Sequence, residues 1–289
     1  MSVMWYMQNL KELIITMKTI SYYVGEFLLA ILVFLFAGIL LLQCTIFQES
    51  FMISAIEKSN FVKELYETTE EEFSYYILQS GLSEEVLDGL ISEDKIREEL
   101  FTYLHNFYEG GSLAVSTEQL KIQLEENIVA YLNQNHLTVS DESSLDLFVD
   151  EILNTYQKNM EDSFLFGMIQ TPFIKIKNML PIMLLILGIT IVLISLIFKF
   201  GTRRNVLGIP FLTSGMLYGG LFFYLSNSLD MQNFYVYNTA FSNLMKTIYS
   251  SLSSCILGVT LFFLILGLLS SLLGKVLVLK RKNKKEVLP

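Results

Sequence analysis

The sequence predicts an all-α membrane protein: four transmembrane helices, with an extracytoplasmic α-helical domain inserted between helices 1 and 2. Three observations predict it. Four uncharged apolar runs, Phe27 to Phe47, Met179 to Phe198, Val206 to Leu225 and Ser251 to Gly274, each reach the length of about 20 residues that crosses a hydrocarbon core of about 30 Å. Lysine and arginine gather at one set of run ends. Between the first two runs lies an acidic stretch, residues 48 to 178, with 25 Asp and Glu against eight Lys and Arg. At 52% hydrophobic residues the chain is too apolar for ordinary soluble domains, and the runs lack the polar face of a helix that meets water.

In residues 1 to 26, Val3, Met7, Leu10, Ile14, Met17 and Val24 recur at helical spacing, while Gln8, Lys11, Glu12 and Lys18 fall on other faces. This is an amphipathic helix. With Trp5, Tyr6, Tyr22 and Tyr23 as interfacial anchors it is expected along the inner leaflet, and the same stripe also suits a partner helix. The run 27 to 47 reads as an uncleaved anchor. It exceeds the core of 7 to 15 residues typical of a cleavable signal, and in Leu-Leu-Gln-Cys at 41 to 44, Gln43 stands where a lipoprotein cleavage site needs a small residue.

Residues 48 to 178 show helix starts and stops rather than strand alternation. Ser83 before Glu84 and Glu85, and Ser92 before Glu93 and Asp94, are hydroxyl caps with carboxylates in the first turn, and Ser116 with Gln119 has the spacing of a capping box. Gly81 and Gly110-Gly111 mark stops, because glycine enters the left-handed region without a steric penalty. Five helices follow: a long one from the first span to about Gln79, others near 84 to 91, 93 to 108 and 118 to 133, and a return helix from about Ser144 that runs past Pro172. The outgoing and returning helices are expected to form a stalk.

The remaining spans are 179 to 198, 206 to 225 and 251 to 274. Lys11, Lys18, Lys199, Arg203, Arg204, Lys275, Lys280, Arg281, Lys282, Lys284 and Lys285 all share one side if the N and C termini are cytoplasmic, which the positive-inside rule favours. The loop 226 to 250 is then outside again. Phe234, Tyr235, Tyr237, Phe241, Leu244, Met245 and Ile248 make it apolar, so it is expected on the outer leaflet, beneath the domain, or as a partner surface. Residues 275 to 289 form a basic cytoplasmic tail.

The spans as delimited hold no Asp, Glu, Lys, Arg or His, which weighs against proton-coupled carriers, intramembrane proteases and voltage sensors. Instead they carry small residues four apart: Gly215 and Gly219, Ser254 and Gly258, Gly267 and Ser271, Ser270 and Gly274, a spacing that lets helix backbones approach closely. The packing can be internal to the bundle or can build a homo-oligomer. Cys44 and Cys255 fall at similar depth near the outer ends of spans one and four, so a disulfide and two free thiols are both open. Two cysteines and two histidines support no disulfide framework and no Cys/His-rich zinc site.

Glu70 to Glu72, and Asp141, Glu142 and Asp146, are candidate cation ligands, but 141 to 151 lacks the alternating oxygens and central glycine of a calcium loop, and no metal or cofactor is assigned. His105 and His136 read as surface or satisfied polar residues. Nucleotide-loop, zinc-protease and nucleophile-elbow motifs are absent, so neither an enzyme nor a nucleic-acid binder is expected.

The layout resembles the FtsX and MacB class of membrane subunits, with an inner amphipathic helix, a large outside domain after the first span and a short outside loop before the last. In that class a cytoplasmic helix between spans two and three engages an ATPase. Here the link is only Lys199 to Asn205, too short for such a helix. The reading is therefore a bacterial plasma-membrane accessory or regulatory protein whose outer domain binds an envelope or secreted protein. A homo-oligomeric channel or transporter is the alternative.

Overall fold

All regular structure among the described residues is helical. The computed structural model describes residues 2–137, 142–162, 166–202, 207–228 and 239–286. Nine α-helices occur among them: α1 (Ser2–Cys44), α2 (Glu49–Lys58), α3 (Phe61–Ser80), α4 (Glu93–Glu109), α5 (Glu118–Gln134), α6 (Glu142–Asp162), α7 (Phe166–Thr202), α8 (Gly208–Ser228) and α9 (Thr239–Glu286), with a 3-10 turn at Glu84–Leu87. Four of these helices contain windows long and apolar enough to cross a bilayer, at Ile20–Cys44, Gly167–Ile197, Gly208–Asn227 and Thr239–Leu273. The chain is thus a helical, multi-pass membrane protein. The α7 window is only 6% buried, with Ile182, Leu185, Ile189 and Leu193 exposed, an apolar exterior that lipid rather than water must cover.

The chain divides into two compact units. One comprises the described residues of 1–44, 178–230 and 251–289. Within it, the Ser214 hydroxyl donates to the Ala30 carbonyl at 2.9 Å and the Tyr218 hydroxyl to the Phe34 carbonyl at 2.7 Å. Both contact positions advance together, so α1 and α8 run parallel, as the first and third of four alternating spans must. Between α8 and α9 the order reverses. Gly208 backs onto Ser271, Gly267 onto Leu212, Gly215 onto Leu264 and Gly219 onto Thr260, so these helices are antiparallel. Val33, Ala37, Leu41, Tyr218, Ile256 and Phe263 form the core of this unit.

The second unit comprises Thr45–Lys177 and the described part of 231–250. Its core is built from stripes at helical spacing: Phe61, Leu65, Phe73 and Ile77 on α3; Ile96, Leu100, Leu104, Phe107 and Tyr108 on α4; Leu124 and Ile128 on α5; Ile152 and Tyr156 on α6. Caps close several ends. Ser83 Oγ accepts from Glu85 N at 3.4 Å and Ser92 Oγ from Lys95 N at 3.3 Å, and Gly81 (φ 75°) and Gly110 (φ 77°) end α3 and α4 in the left-handed region.

Five expectations are corrected. Residues 1–26 are not a separate helix, since α1 runs unbroken from Ser2 to Cys44 with no proline to interrupt it. The outgoing helix is not continuous to Gln79. It is broken at Thr45–Gln48 and again at Ser59–Asn60, where Asn60 adopts a left-handed φ of 57° and Ser59 Oγ donates to Ile56 O at 3.0 Å. The Ser116 capping box is not formed: Thr117 is the N-cap of α5 and its side chain makes no capping bond. Residues 239–250 are not loop but the first turns of α9, and Ala240 and Leu244 join the domain core, with Asn243 Nδ2 donating to Glu64 Oε1 at 2.7 Å. The aromatic residues Phe234, Tyr235 and Tyr237 lie outside the described residues.

Nor are the apolar windows free of charged residues. The apolar windows extend beyond the limits read from sequence and take in Glu26, which is 4% exposed, with Oε1 buried and without a hydrogen-bond partner among the described residues.

Candidate functional site

Two surface clefts in the acidic domain bring polar groups together. The larger, about 740 Å³, lies among α4, α5, the irregular segment between them and Tyr156 of α6. Its geometry follows from the sequence. Gly110 stops α4, Gly111 N donates to Asn106 O at 2.8 Å, and Gly111 to Ser116 runs as irregular chain to Thr117, the N-cap of α5. That segment contributes Ala114, Val115 and Ser116 to the lining, and α4 contributes Glu98, Glu99 and Thr102. Leu90, Leu120 and Tyr103 supply apolar wall.

Carboxylates outnumber cations in this groove. Lys95 is the lysine in its lining, but its ammonium donates to Gly89 O at 2.9 Å, Leu90 O at 3.3 Å and Gln123 Oε1 at 3.0 Å, fastening the turn before α4 to α5. Gln123 and Asn127 of α5 complete that fastening on the carbonyls of Gly89, Val86 and Asp88. Lys95 is therefore committed to a structural junction, and Glu98, Glu99 and Glu118 face the groove. Tyr156, 2% exposed at the base, donates from its hydroxyl to Glu99 Oε2 at 2.7 Å.

Burial pushes the Glu99 carboxyl above the usual range, while the hydrogen bond from Tyr156 and the charge of Lys95 oppose the shift. The Tyr156 phenol is raised by burial and then by its bond to Glu99, so it stays a donor. An acid whose folded pKa exceeds its unfolded one contributes stability that is present below the ordinary carboxylate range, about pH 4, and lost as pH rises through the folded value. Glu99→Gln is therefore expected to raise stability at pH 7, by less than about 1 kcal/mol because the group is only half-buried, with the gain fading toward pH 4. Thermal unfolding of both forms across pH 4 to 8 checks this.

The smaller cleft, about 480 Å³, lies between α3 and α6, lined by Glu71, Glu72, Tyr75, Tyr76, Glu151 and Lys158 among others. Its acids are partly answered from within. Asn159 Nδ2 donates to Glu72 Oε2 at 2.7 Å and to Thr69 Oγ1 at 3.3 Å, tying α6 to α3, and Lys158 brings a cation into the lining.

Other residues read from sequence fall elsewhere. Among the described residues no three His, Cys, Asp or Glu side chains group as metal ligands. Asp141 lies outside the described residues, and of Glu142 only the backbone is described. His105 Nδ1 lies 3.2 Å from both carboxylate oxygens of Glu49, joining α4 to α2, and His136 occupies a left-handed turn. Cys44 and Cys255 are both free and exposed, so no bridge joins them. Of the small residues, Gly215, Gly219 and Gly267 back onto a neighbouring helix, Gly258 meets nothing within 4 Å, Ser254 is exposed, and Ser271 faces Gly208. Ser270 is half-buried, and Gly274 lies within α9.

The groove was not legible in the sequence, because its lining joins α4, α5, the segment between them and Tyr156 of α6, which only the tertiary fold brings together. No protein-family model, curated protein or solved structure matches the chain.

Proposed function

We propose that the chain is a bacterial plasma-membrane accessory or regulatory protein, with both termini cytoplasmic, whose acidic helical domain faces outward and binds an envelope or secreted protein. Its role is binding rather than catalysis. The observation that carries this reading is the groove between α4 and α5: apolar walls, three carboxylates, and a lysine committed to the junction beneath. A recess of several hundred Å³ combining apolar wall with a few oriented polar groups is the usual form of a recognition site. The sidedness rests on the positive-inside distribution of lysine and arginine. The bundle anchors the domain and supplies close helix packing through its glycines.

Crosslinking native membranes with a short amine-reactive reagent, followed by capture of the chain, tests the proposal. Lys121 on α5 and Lys63 on α3, with side chains 49% and 60% exposed, are the expected attachment points, whereas Lys95 is held by its carbonyls. Recovery of a distinct envelope protein joined to the domain supports the reading. Recovery of the chain alone, as a discrete oligomer, overturns it in favour of a channel or transporter assembled through the bundle.

A further inference from the structure

We infer that the groove between α4 and α5 takes a basic segment of the partner, with a lysine or arginine head directed to Glu98 and Glu99 and its aliphatic stem, or an adjacent apolar side chain, against Leu120 and Val115. This rests on the domain being a protein-binding module and names the chemistry of what it binds.

Charge complementarity commits the groove to a cation. The stretch 48 to 178 carries 25 acids against eight bases, so its long-range field already attracts basic chains. Within the groove the imbalance is local as well: Glu98, Glu99 and Glu118 line it against one lysine, Lys95, whose charge acts on Glu99 but does not balance three carboxylates. The Glu99 carboxyl is held in place by the Tyr156 hydroxyl at 2.7 Å, so one acceptor is pre-positioned. An incoming ammonium or guanidinium replaces the water that half-burial has already thinned around Glu99, and it favours the ionised form that burial disfavours.

The apolar wall selects the rest of the ligand. Lysine and arginine stems lie along apolar surface while their heads reach a carboxylate, which suits a recess lined both by Leu120 and Val115 and by carboxylates. An acidic segment meets repulsion from Glu98, Glu99 and Glu118, and a purely apolar one leaves these carboxylates to lose water without replacement. The α3–α6 cleft has the same three carboxylates to one lysine, but its lining holds no aliphatic side chain to carry a lysine stem, and Asn159 already donates to Glu72.

The test uses the full chain in detergent micelles and a fluorescent hexapeptide of alternating lysine and leucine, with a glutamate–leucine hexapeptide as reference, followed by anisotropy. The lysine peptide is expected to bind and the glutamate peptide not to. Replacing both Glu98 and Glu99 by Gln is expected to weaken binding about tenfold or more, whereas replacing both Glu84 and Glu125 by Gln, the same loss of charge outside the groove lining, changes it less than about threefold because salt screens distant charges. Ala114→Trp fills the groove without altering charge and is expected to weaken binding about tenfold as well. Unchanged helicity by circular dichroism accompanies each variant.

Equal losses from the two glutamate pairs, or no loss from Ala114→Trp, overturn the inference, because the peptide is then held by the general field. The crosslinking experiment keeps the underlying reading separate. A native partner still captured by Ala114→Trp leaves the binding role standing and the groove assignment lost.

Discussion

Gly267→Val is expected to destabilise the bundle by about 3 kcal/mol, the upper part of the range for overpacking, while Gly258→Ala nine residues earlier on the same helix is neutral or stabilises by up to about 1 kcal/mol. The contrast follows from what each new Cβ meets. At Gly267 it would lie 2.6 Å from Leu212 Cγ and 2.8 Å from Leu212 N. A side chain can rotate away, but a backbone nitrogen in α8 cannot, so the helices must separate along a line that also includes Gly215 against Leu264 and Gly219 against Thr260. At Gly258 nothing lies within 4 Å, so alanine only gains helix propensity. Thermal unfolding in one detergent, with the two variants side by side, measures the difference. Equal behaviour of the two would mean that α8 and α9 do not meet along this register.

In the acidic domain, Tyr108→Ala is expected to be more damaging still, at about 3 to 5 kcal/mol for the lost ring plus about 1 to 3 kcal/mol for the orphaned acceptor. Tyr108 is 1% exposed, and its hydroxyl donates to Ile46 O at 2.7 Å. Its ring meets Phe107 and Phe173 edge to face at centroid distances of 5.5 and 5.2 Å, and Lys177 Nζ lies 5.6 Å from its centroid. One side chain thereby joins the residues just after α1 to α4 and to α7. Tyr108→Phe keeps the ring and loses the hydroxyl alone, so about 1 kcal/mol is expected. Amide hydrogen exchange across α4 separates the variants: protection falls strongly in Tyr108→Ala and slightly in Tyr108→Phe. Near-native protection in Tyr108→Ala would show that this junction does not hold the domain together.

Features that are local in chain chemistry are legible in the sequence. Ser83, Ser92, Gly81 and Gly110 each act within a few residues of themselves, so a sequence pattern suffices to place them. The limits of α4 and α5, 93 to 109 and 118 to 134, lie within a residue or two of those the sequence predicts for the same reason. The break at Ser59–Asn60 was written in the sequence but overridden by the apolar periodicity around it. Asparagine tolerates the left-handed region better than most residues, and that was the available signal. The helical start of α9 is not legible from apolar content alone, which fits a surface segment as well as the core that Ala240 and Leu244 supply.

The sequence by itself determined the solvent of each segment. Length, hydropathy and periodicity are sums over neighbours along the chain, and they suffice to separate four crossing helices from an acidic helical stretch. Tertiary structure alone decided which glycines meet backbone, how α1, α8 and α9 are registered, that Glu26 is buried, and that Lys95 turns onto Gly89, Leu90 and Gln123 and leaves Glu98 and Glu99 facing a groove. These are distances between residues far apart in the chain. Gly258 and Gly267 are the same residue on the same helix, and only the position of α8 makes one dispensable and the other not.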